Sequence, residues 1–286
     1  MKPGFVLGTL CALAVTAAAQ PRITVQPKLV HRGDPVLITV AGERGDEAPS
    51  GTAAGTTLQF FKTRANTYQA LVAVPLDTTA DDVTIAVRGA DKIAVPLRAK
   101  NFAETDIVVE DELANPDATQ RAQIDADNKA ILDAVRTKTE PQWTRAFKRP
   151  PGEVTSTFGE WRTFNDGHKS QHLGLDLFAK EASPVRAVNA GTVTLVRDTF
   201  LAGTVVVISH GAGIGTAYYH LSSTDVAEGD VVDRGAVIGR AGHTGRATGP
   251  HLHISVRTPG GFVDPAGFFA LPIGMPAPSA VAVRRP

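Results

Sequence analysis

Two short segments carry side chains that can bind a metal ion or move a proton. His172 and Asp176 are four residues apart with Gly174 between them, and His251 and His253 are two residues apart. Side chains alternate between the two faces of an extended strand, so each pair shares a face, and Gly174 leaves room there for an ion. A catalytic zinc ion takes three protein ligands, which include imidazole and carboxylate groups. The two pairs together therefore predict a zinc site with one side chain left over for proton transfer.

The distribution of histidine supports a metal site in this part of the chain. The chain has eight histidines, and seven of them lie between residues 168 and 253. His220 follows an apolar run and is a fifth candidate for the site. There is a single cysteine, which excludes an internal disulfide and a CxxC zinc motif, so the ligands must be His, Asp or Glu. Spacing alone does not separate the ligands from the proton-transfer groups.

The composition excludes several other classes of protein. The 286 residues include 29 basic and 29 acidic side chains, a balance that argues against a polybasic nucleic-acid binder or an acidic disordered tail. Hydrophobic residues make up 43% and charged residues 20% of the chain, as in globular proteins. At about 150 residues per domain, the length predicts roughly two domains.

The N-terminus has the features of an export signal. Lys2 precedes an uncharged segment over residues 4–19, which ends in a run of alanines with an A-x-A cleavage site. The uncharged segment is shorter than the roughly 20 apolar residues that span a bilayer. We expect residues 1–19 to be a cleaved signal peptide. The mature protein would then lie in the periplasm or elsewhere in the cell envelope, without stable membrane insertion.

The remaining chain predicts an all-β fold with a helical connector. Apolar runs of alternating pattern recur over residues 20–100, which predicts an immunoglobulin-like β-sandwich. Residues 101–150 predict a connector, with apolar residues at helical spacing over 117–137. Residues 151–271 contain short strand-like runs separated by glycines, which predict an antiparallel β domain. Residues 272–286 are rich in Pro and Ala and predict a flexible tail.

Several motifs between about 152 and 267 follow one another in the order of a known family. They are Val154–Gly159 with Arg162, the HxGxD motif of 172–176, Pro184–Gly191, Tyr219–Ser222, and the glycine-rich loop of 242–250 that ends in the HxH of 251–253. In this order they resemble the lysostaphin-type (LytM-like) zinc metallopeptidases of the murein-hydrolase, or duplicated hybrid motif, group. Members of that family cut peptides in the bacterial cell wall.

The resemblance implies a role for each candidate residue. His172, Asp176 and His253 match the positions that hold one zinc ion per chain, and His220 and His251 match the catalytic histidines. The implied function is an exported zinc metalloendopeptidase that hydrolyses amide bonds in peptidoglycan stem or cross-link peptides through zinc-activated water. The implied partners are peptidoglycan peptides and other cell-wall or divisome proteins, and nucleic acid is not expected.

An alternative function stays open. The same groove could serve a non-catalytic module that binds the cell wall or activates an amidase, although all five key residues are present. Two positions depart from the family pattern, namely His243 in the loop and Ser255 after the HxH motif. His210 is interpreted as structural and His168 as a solvated residue of the loop over 165–171.

Overall fold

The fold was obtained as a computed structural model, which describes residues 20–42, 47–165 and 167–277. The expected signal peptide, residues 1–19, lies outside the described residues. The predicted all-β class is confirmed, since strands form most of the ordered structure and the described residues include only three helices.

The N-terminal region consists of nine strands in two sheets that enclose an apolar interior. One sheet has the order β1-β3-β7-β6 and the other the order β2-β9-β8-β4-β5. The strands are β1 (Arg22–Gln26), β2 (Val30–His31), β3 (Pro35–Ala41), β4 (Gly51–Ala53), β5 (Thr56–Thr57), β6 (Phe61–Arg64), β7 (Thr67–Ala73), β8 (Asp82–Val87) and β9 (Ile93–Arg98).

Strand β7 explains how this region is attached to the rest of the chain. All seven of its residues are buried, which requires that both faces of the strand are covered. Ala70 and Val72 face the interior between the two N-terminal sheets. Leu71 and Ala73 face the other way and join a core that continues into the C-terminal region. The two β regions therefore share one packed interface.

The connector contains a strand and two helices rather than a single helix. It contains β10 (Glu104–Ile107), α1 (Asp111–Ala114) and α2 (Ala118–Val135), so the helix predicted over 117–137 is present. Asp117 caps α2, because its carboxylate accepts the backbone N–H of Gln120 while the Gln120 side chain accepts the N–H of Asp117. Strand β10 pairs in parallel with β12 (Trp161–Phe164), which pairs in turn with β13 (His168–Gln171).

The segment 165–171 differs from the expected loop. It was predicted to be a variable loop, but residues 168–171 form strand β13 in a three-stranded sheet with β10 and β12. His168 lies on that strand and is exposed. Turn residues Asn165 and Gly167 both have positive φ, which the hairpin between β12 and β13 requires.

The C-terminal region is built on a ten-stranded sheet. Its main path runs β11-β14-β21-β18-β17-β16-β19, with β15, β20 and β22 attached at the side. Its elements are β11 (Val154–Ser156), β14 (Leu175–Phe178), β15 (Pro184–Arg186), β16 (Gly191–Thr199), β17 (Gly203–Gly211), β18 (Ile214–Thr224), β19 (Val231–Val232), β20 (Val237–Ala241), β21 (His251–Thr258), β22 (Gly261–Val263) and α3 (Pro265–Ala270).

The central strands of this sheet are covered on both faces. On one face, Val206, Ile208 and Tyr218 join the core that includes Leu71 of the N-terminal region. On the other face, a smaller cluster packs helix α2 against β17 and β18; it consists of Ile131, Ala134, Val135, Val205, Val207, Ala217 and Tyr219. The helix therefore leaves part of that second face open, and the candidate site lies there.

The segment after Leu271 is not a loose tail where the structure describes it. Ile273 is buried in the core shared by the two β regions. The indole N–H of Trp143 donates to the Gly274 carbonyl, and the N–H of Gly274 donates to the side chain of Gln69. Residues 272–277 are thus held by apolar contact and hydrogen bonds, contrary to the prediction, and 278–286 lie outside the described residues.

The structure also bears on membrane insertion. Within residues 20–42, 47–165 and 167–277, no helix is both long enough and apolar enough to cross a membrane.

Candidate metal centre and active site

Strand pairing places two of the predicted ligands directly opposite each other. Asp176 on β14 pairs with His253 on β21, and His253 pairs with Tyr219 on β18. Directly opposite residues of an antiparallel pair have their side chains on the same face and close together. Leu252 and Ile254, on either side of His253, are buried in the apolar core. The alternation predicted for the HxH segment is therefore confirmed.

His172 lies beside these two ligands, but it is not on strand β14 as the strand pattern predicted. It lies before β14 rather than within it, since the strand begins at Leu175. Strand alternation continued back to residue 172 would bury Leu173 together with Leu175, but Leu173 is 40% exposed. The chain bends at Gly174, where a Cβ atom would lie 2.5 Å from the ring of His253. Gly174 therefore makes room for a ligand side chain, beyond the space for an ion that the sequence predicted.

Three donor atoms converge at this point. His172 Nε2 lies 3.1 Å from Asp176 Oδ1 and 2.9 Å from His253 Nδ1, and His253 Nδ1 lies 2.7 Å from Asp176 Oδ1. Residues 172 and 176 are buried and His253 is partly buried. Two imidazole nitrogens and one carboxylate oxygen form a donor set that zinc accepts, with a fourth tetrahedral position left for water or substrate. The residues present therefore fit a catalytic zinc ion.

The outer nitrogens of both imidazoles are held by neighbouring groups. His172 Nδ1 lies 2.8 Å from the carbonyl oxygen of Thr157, which can only accept, so Nδ1 carries the proton and Nε2 is free to bind a metal. His253 Nε2 lies 3.1 Å from Ser255 Oγ, whose hydroxyl donates to the Leu173 carbonyl at 2.7 Å. Such partners fix the orientation and tautomer of a metal-binding imidazole.

The charge states of the cluster also suit a metal. Burial alone would raise the pKa of Asp176, but hydrogen bonds with His172 and His253 hold that pKa well below its usual range. Burial lowers the pKa of His253 to about 4. At neutral pH the cluster therefore offers a carboxylate and a neutral imidazole, the forms that ligate metals.

Arg162 binds the carboxylate oxygen of Asp176 that does not face the two imidazoles. Its Nη2 donates to Asp176 Oδ2 at 2.5 Å and to Ser156 Oγ at 2.7 Å, and it lies 3.8 Å from Glu160. Glu160 also accepts hydrogen bonds from Ser156 and from Thr105 of the connector. Oδ2 is thereby occupied, which leaves Oδ1 to face the two imidazoles. The sequence marked Arg162 as part of a motif but assigned it no role.

A β-bulge aims His220 into the site. On β17 one residue separates Thr204 from Val206, whereas their partners on β18, Leu221 and Tyr218, are separated by two. The extra residue lets Tyr219 and His220 lie together between two core residues, and it gives His220 a left-handed backbone with φ of 59°. That conformation costs a non-glycine residue of order 1–3 kcal/mol, and such strain is concentrated at functional sites.

His220 and His251 are oriented in the same way. His220 Nδ1 faces the carbonyl of Thr244, and His251 Nδ1 faces the carbonyl of Gly249, each at 2.8 Å. A carbonyl only accepts, so each neutral ring has its proton on Nδ1 and a lone pair on Nε2. The ring centroids are 4.9 Å apart, and His251 Nε2 lies 3.9 Å from Asp176 Oδ1. Burial, with smaller effects of the other two histidines, lowers the pKa of His220 to about 3.

The remaining histidines lie apart from this cluster. His210 is fully buried and hydrogen-bonded to the Ala190 carbonyl and to Thr216, so its interpretation as structural agrees with the contacts. His243 lies in the loop before the HxH motif and pairs with Glu181 at 2.9 Å on the surface. His31 contacts Asp34 in the N-terminal region.

The cluster lies in a groove of about 890 Å³. One wall contains Thr105–Val109 of the connector, and helix α2 contributes Asn128, Ile131 and Leu132. The loop of residues 246–250 also lines the groove, and the Arg246 guanidinium stacks at 3.9 Å on the ring of Phe164. Burial, with a smaller effect of Arg162, lowers the pKa of Arg246 to about 10. The connector therefore forms part of the groove.

Comparison with protein families identifies this region. The family model described as Peptidase family M23 matches residues 170–265. This range contains the four histidines and the aspartate of the cluster. The chain contains a peptidase M23 domain of the lysostaphin type. The matched range begins at the end of β13 and covers most of the ten-stranded sheet with its site, and it leaves out the N-terminal region and the connector.

Curated relatives match the M23 domain over a similar range. The chain is 45% identical over 101 residues to DD-carboxypeptidase/endopeptidase Mpg of Neisseria meningitidis, which is 35% of this chain and 23% of that protein. It is 38% identical over 117 residues to peptidoglycan DD-endopeptidase ShyA of Vibrio cholerae, which is 39% of this chain and 27% of that protein. The matched part thus spans about a quarter of the length of these relatives.

One solved structure matches most of the chain. It is a crystal structure from Pseudomonas aeruginosa that is assigned to peptidase M23, with a TM-score of 0.65 and 27% sequence identity. The match covers 84% of this chain and 94% of that one. An M23 domain joined to further β structure therefore occurs in that protein as well.

Proposed function

We propose that this protein is an exported zinc metalloendopeptidase that hydrolyses an amide bond in the stem or cross-link peptides of peptidoglycan. The observation that carries the proposal is the convergence of His172, Asp176 and His253 beside two further imidazoles that face the same groove. The names of the relatives Mpg and ShyA, which are DD-peptidases, support a bond between D-amino acids in the cross-link.

One zinc ion per chain would be held by His172 Nε2, Asp176 Oδ1 and His253 Nδ1. When bound, zinc supplies Lewis acidity, which polarises a carbonyl group and makes water a stronger acid. The contacts of Thr157, Ser255 and Arg162 with these ligands orient them before any ion arrives.

We assign proton transfer to His251. Its Nε2 carries a lone pair and lies 3.9 Å from the ligand atom Asp176 Oδ1. His251 accepts a proton from the attacking water as the C–O bond forms, and it gives that proton to the amine as the C–N bond breaks. Neutral His220 presents a lone pair as well, so it accepts a hydrogen bond and orients the water. In this tautomer it cannot donate to an oxyanion.

The groove suits an extended peptide with acidic groups. Arg246 lines it next to His251, and no carboxylate lies within 4 Å of its guanidinium in the described part of the chain. Its stacking on Phe164 holds the guanidinium in place, and a guanidinium recognises a carboxylate through paired hydrogen bonds. Peptidoglycan peptides carry such carboxylates.

A peptidoglycan substrate places the protein in the cell envelope. The features of residues 1–19 support export by a signal peptide to the periplasm or cell surface. Cell-wall or divisome proteins are proposed as further partners on the same ground.

The decisive experiment is digestion of purified sacculi with the zinc-loaded full-length protein, followed by mass spectrometry of the soluble muropeptides. We expect cross-linked dimers to be converted to monomers. The matched control is His251→Ala, which removes the proposed base but none of the three ligands, so it should keep its zinc and lose about 10²–10⁴-fold in rate. No product from the wild-type protein would overturn the proposal.

The same variant separates the proposal from the non-catalytic alternative. A module that only binds the cell wall or activates an amidase needs the groove but not the base. If His251→Ala supports full cellular function in place of the wild-type gene, catalysis is not the role of this protein.

A further inference from the structure

A second cavity lies beside the groove that contains the ligand cluster, and it carries an excess of positive charge. Its volume is about 620 Å³. No acidic residue lines this basic cavity, whereas five cationic residues do: Lys148, Arg149, Lys180, Arg186 and Arg234.

Two of these cations are oriented by backbone carbonyls, and none of the five is neutralised by a neighbouring carboxylate of the described residues. Arg186 Nη1 donates to the Gly235 carbonyl at 2.9 Å, and Arg149 Nη1 donates to the Gly152 carbonyl at 3.1 Å. In the part of the chain that the structure describes, none of the five lies within 4 Å of a carboxylate. The Nε of Arg234 is buried and has no hydrogen-bond partner there. A buried donor without a partner is destabilising, and an anion that bonded to it would offset that cost.

The basic cavity adjoins the proposed substrate groove at one residue. Phe178 lines both of them and is 54% exposed. It pairs across β14 and β21 with His251, and the next residue, Leu252, lines the basic cavity. Phe178 is therefore the shared boundary that a chain leaving the groove past His251 would cross to reach the basic cavity.

We infer that the basic cavity binds a carboxylate-bearing part of the same peptide whose amide bond lies in the groove. This inference rests on the proposed function, because it takes its ligand from the peptidoglycan peptide. Five unneutralised cations favour an anion, and the apolar residues between them suit the carbon chain that carries it. The cavity would then select acidic over amidated peptides.

The test measures binding rather than cleavage. Full-length His251→Ala protein is titrated with the tetrapeptide L-Ala-γ-D-Glu-diaminopimelate-D-Ala and with its form in which the free carboxylates are carboxamides. We expect the acidic form to bind more tightly. Adding Arg186→Gln and Arg234→Gln should weaken the acidic peptide about tenfold, equivalent to about 1.4 kcal/mol, and leave the amidated peptide unchanged.

Two controls guard this test. Lys92→Gln removes one exposed cation from a turn of the N-terminal region and should change neither affinity. Arg186→Gln alone, at an exposed position, gives a smaller loss of the same kind if the double variant fails to fold. Equal binding of the two peptides, equal weakening of both, or an equal effect of Lys92→Gln would overturn the inference.

The outcome is separable from that of the proposed function. Selective binding without cleavage of sacculi by the wild-type protein would remove the hydrolase proposal and keep the basic cavity. Cleavage without selective binding would do the reverse.

Discussion

The two β regions of this molecule use buried strands for different purposes. In the N-terminal region the buried side chains are apolar, apart from Thr67 and Gln69 among the described residues. The ten-stranded sheet has an equally apolar core on one face, but its other face buries His172, Asp176 and His220. Burying polar groups is costly unless each has a partner. The comparison teaches that the region with the candidate site buries more polar groups than the N-terminal region, and that the polar groups at the site have partners.

At the candidate site, neighbouring carbonyl and hydroxyl groups offset the cost of burying the imidazoles. Both ligand imidazoles, and both imidazoles beside them, use one nitrogen for a carbonyl or a hydroxyl. The other nitrogen of each is thereby directed in a defined protonation state. Four predictions, from the largest expected effect to the smallest, test this contrast between an apolar region and a chemical one.

The largest effect is expected at a ligand. His253→Ala removes one of three zinc donors and should abolish zinc binding at micromolar metal and reduce sacculus digestion by more than about 100-fold, beyond what loss of an outer partner causes. Zinc content by plasma mass spectrometry checks this. The matched control is His243→Ala in the nearby loop, where the histidine contacts only Glu181 among described residues and zinc content should be unchanged.

The second prediction concerns the apolar side of the comparison. Leu37 and Ile38 are adjacent and fully buried, but Leu37 packs in the core shared by both regions and Ile38 inside the N-terminal region. Replacing either by Ala should lower the free energy of unfolding by about 2–5 kcal/mol. In scanning calorimetry only Leu37→Ala should split the transition in two. A single transition for both variants would show that the two regions remain coupled without the Leu37 side chain, which would contradict the prediction.

The third prediction uses pH. Burial lowers the pKa of His210 to about 4 from its ordinary 6.5, so the unfolded chain binds this proton at a higher pH than the folded protein. Burial of neutral His210 therefore leaves the free energy of unfolding undiminished above pH 6.5. Stability is then lost as the pH falls from 6.5 to about 4, because the unfolded chain takes up the proton first. The loss amounts to about 3 kcal/mol. Urea unfolding at pH 7 and pH 4 should therefore show a steeper loss for wild type than for His210→Gln. Equal slopes would contradict the prediction.

The smallest effect is expected at an outer partner. Ser255→Ala removes the hydroxyl that lies 3.1 Å from His253 Nε2 but no ligand. Zinc affinity should fall about 10–100-fold, as measured by competition with a chelator. Ser223→Ala, at an exposed position of β18, is the control and should leave the affinity as it is. An unchanged affinity for Ser255→Ala would mean that His253 is oriented without this contact.

The sequence predicted the features that depend on local periodicity. Alternation along residues 251–254 placed both histidines on one face, and helical spacing located α2 within two residues of its ends. The all-β class followed from the same kind of pattern. The convergence of His172, Asp176 and His253 was predicted as well, and their zinc-binding role remains a prediction.

Features that depend on register between distant strands could not be read from the sequence. The bulge at His220 arises from the pairing of β17 with β18, although the spacing of Tyr218 and Leu221, both in the core, breaks the two-residue alternation and was a usable signal. The partnership of Ser255 with His253 was missed, because Ser255 was noted only as a departure from the family pattern. Residues 272–277 pack because Ile273 meets a core formed by both regions.

The zinc centre is the central claim, and anomalous diffraction tests it most directly. Crystals of the zinc-loaded protein, measured on both sides of the zinc absorption edge, should show one peak per chain. We expect that peak at about 2.0–2.2 Å from His172 Nε2, Asp176 Oδ1 and His253 Nδ1 together. A peak at any other group of residues, or none in crystals of protein that retains activity, would contradict the account.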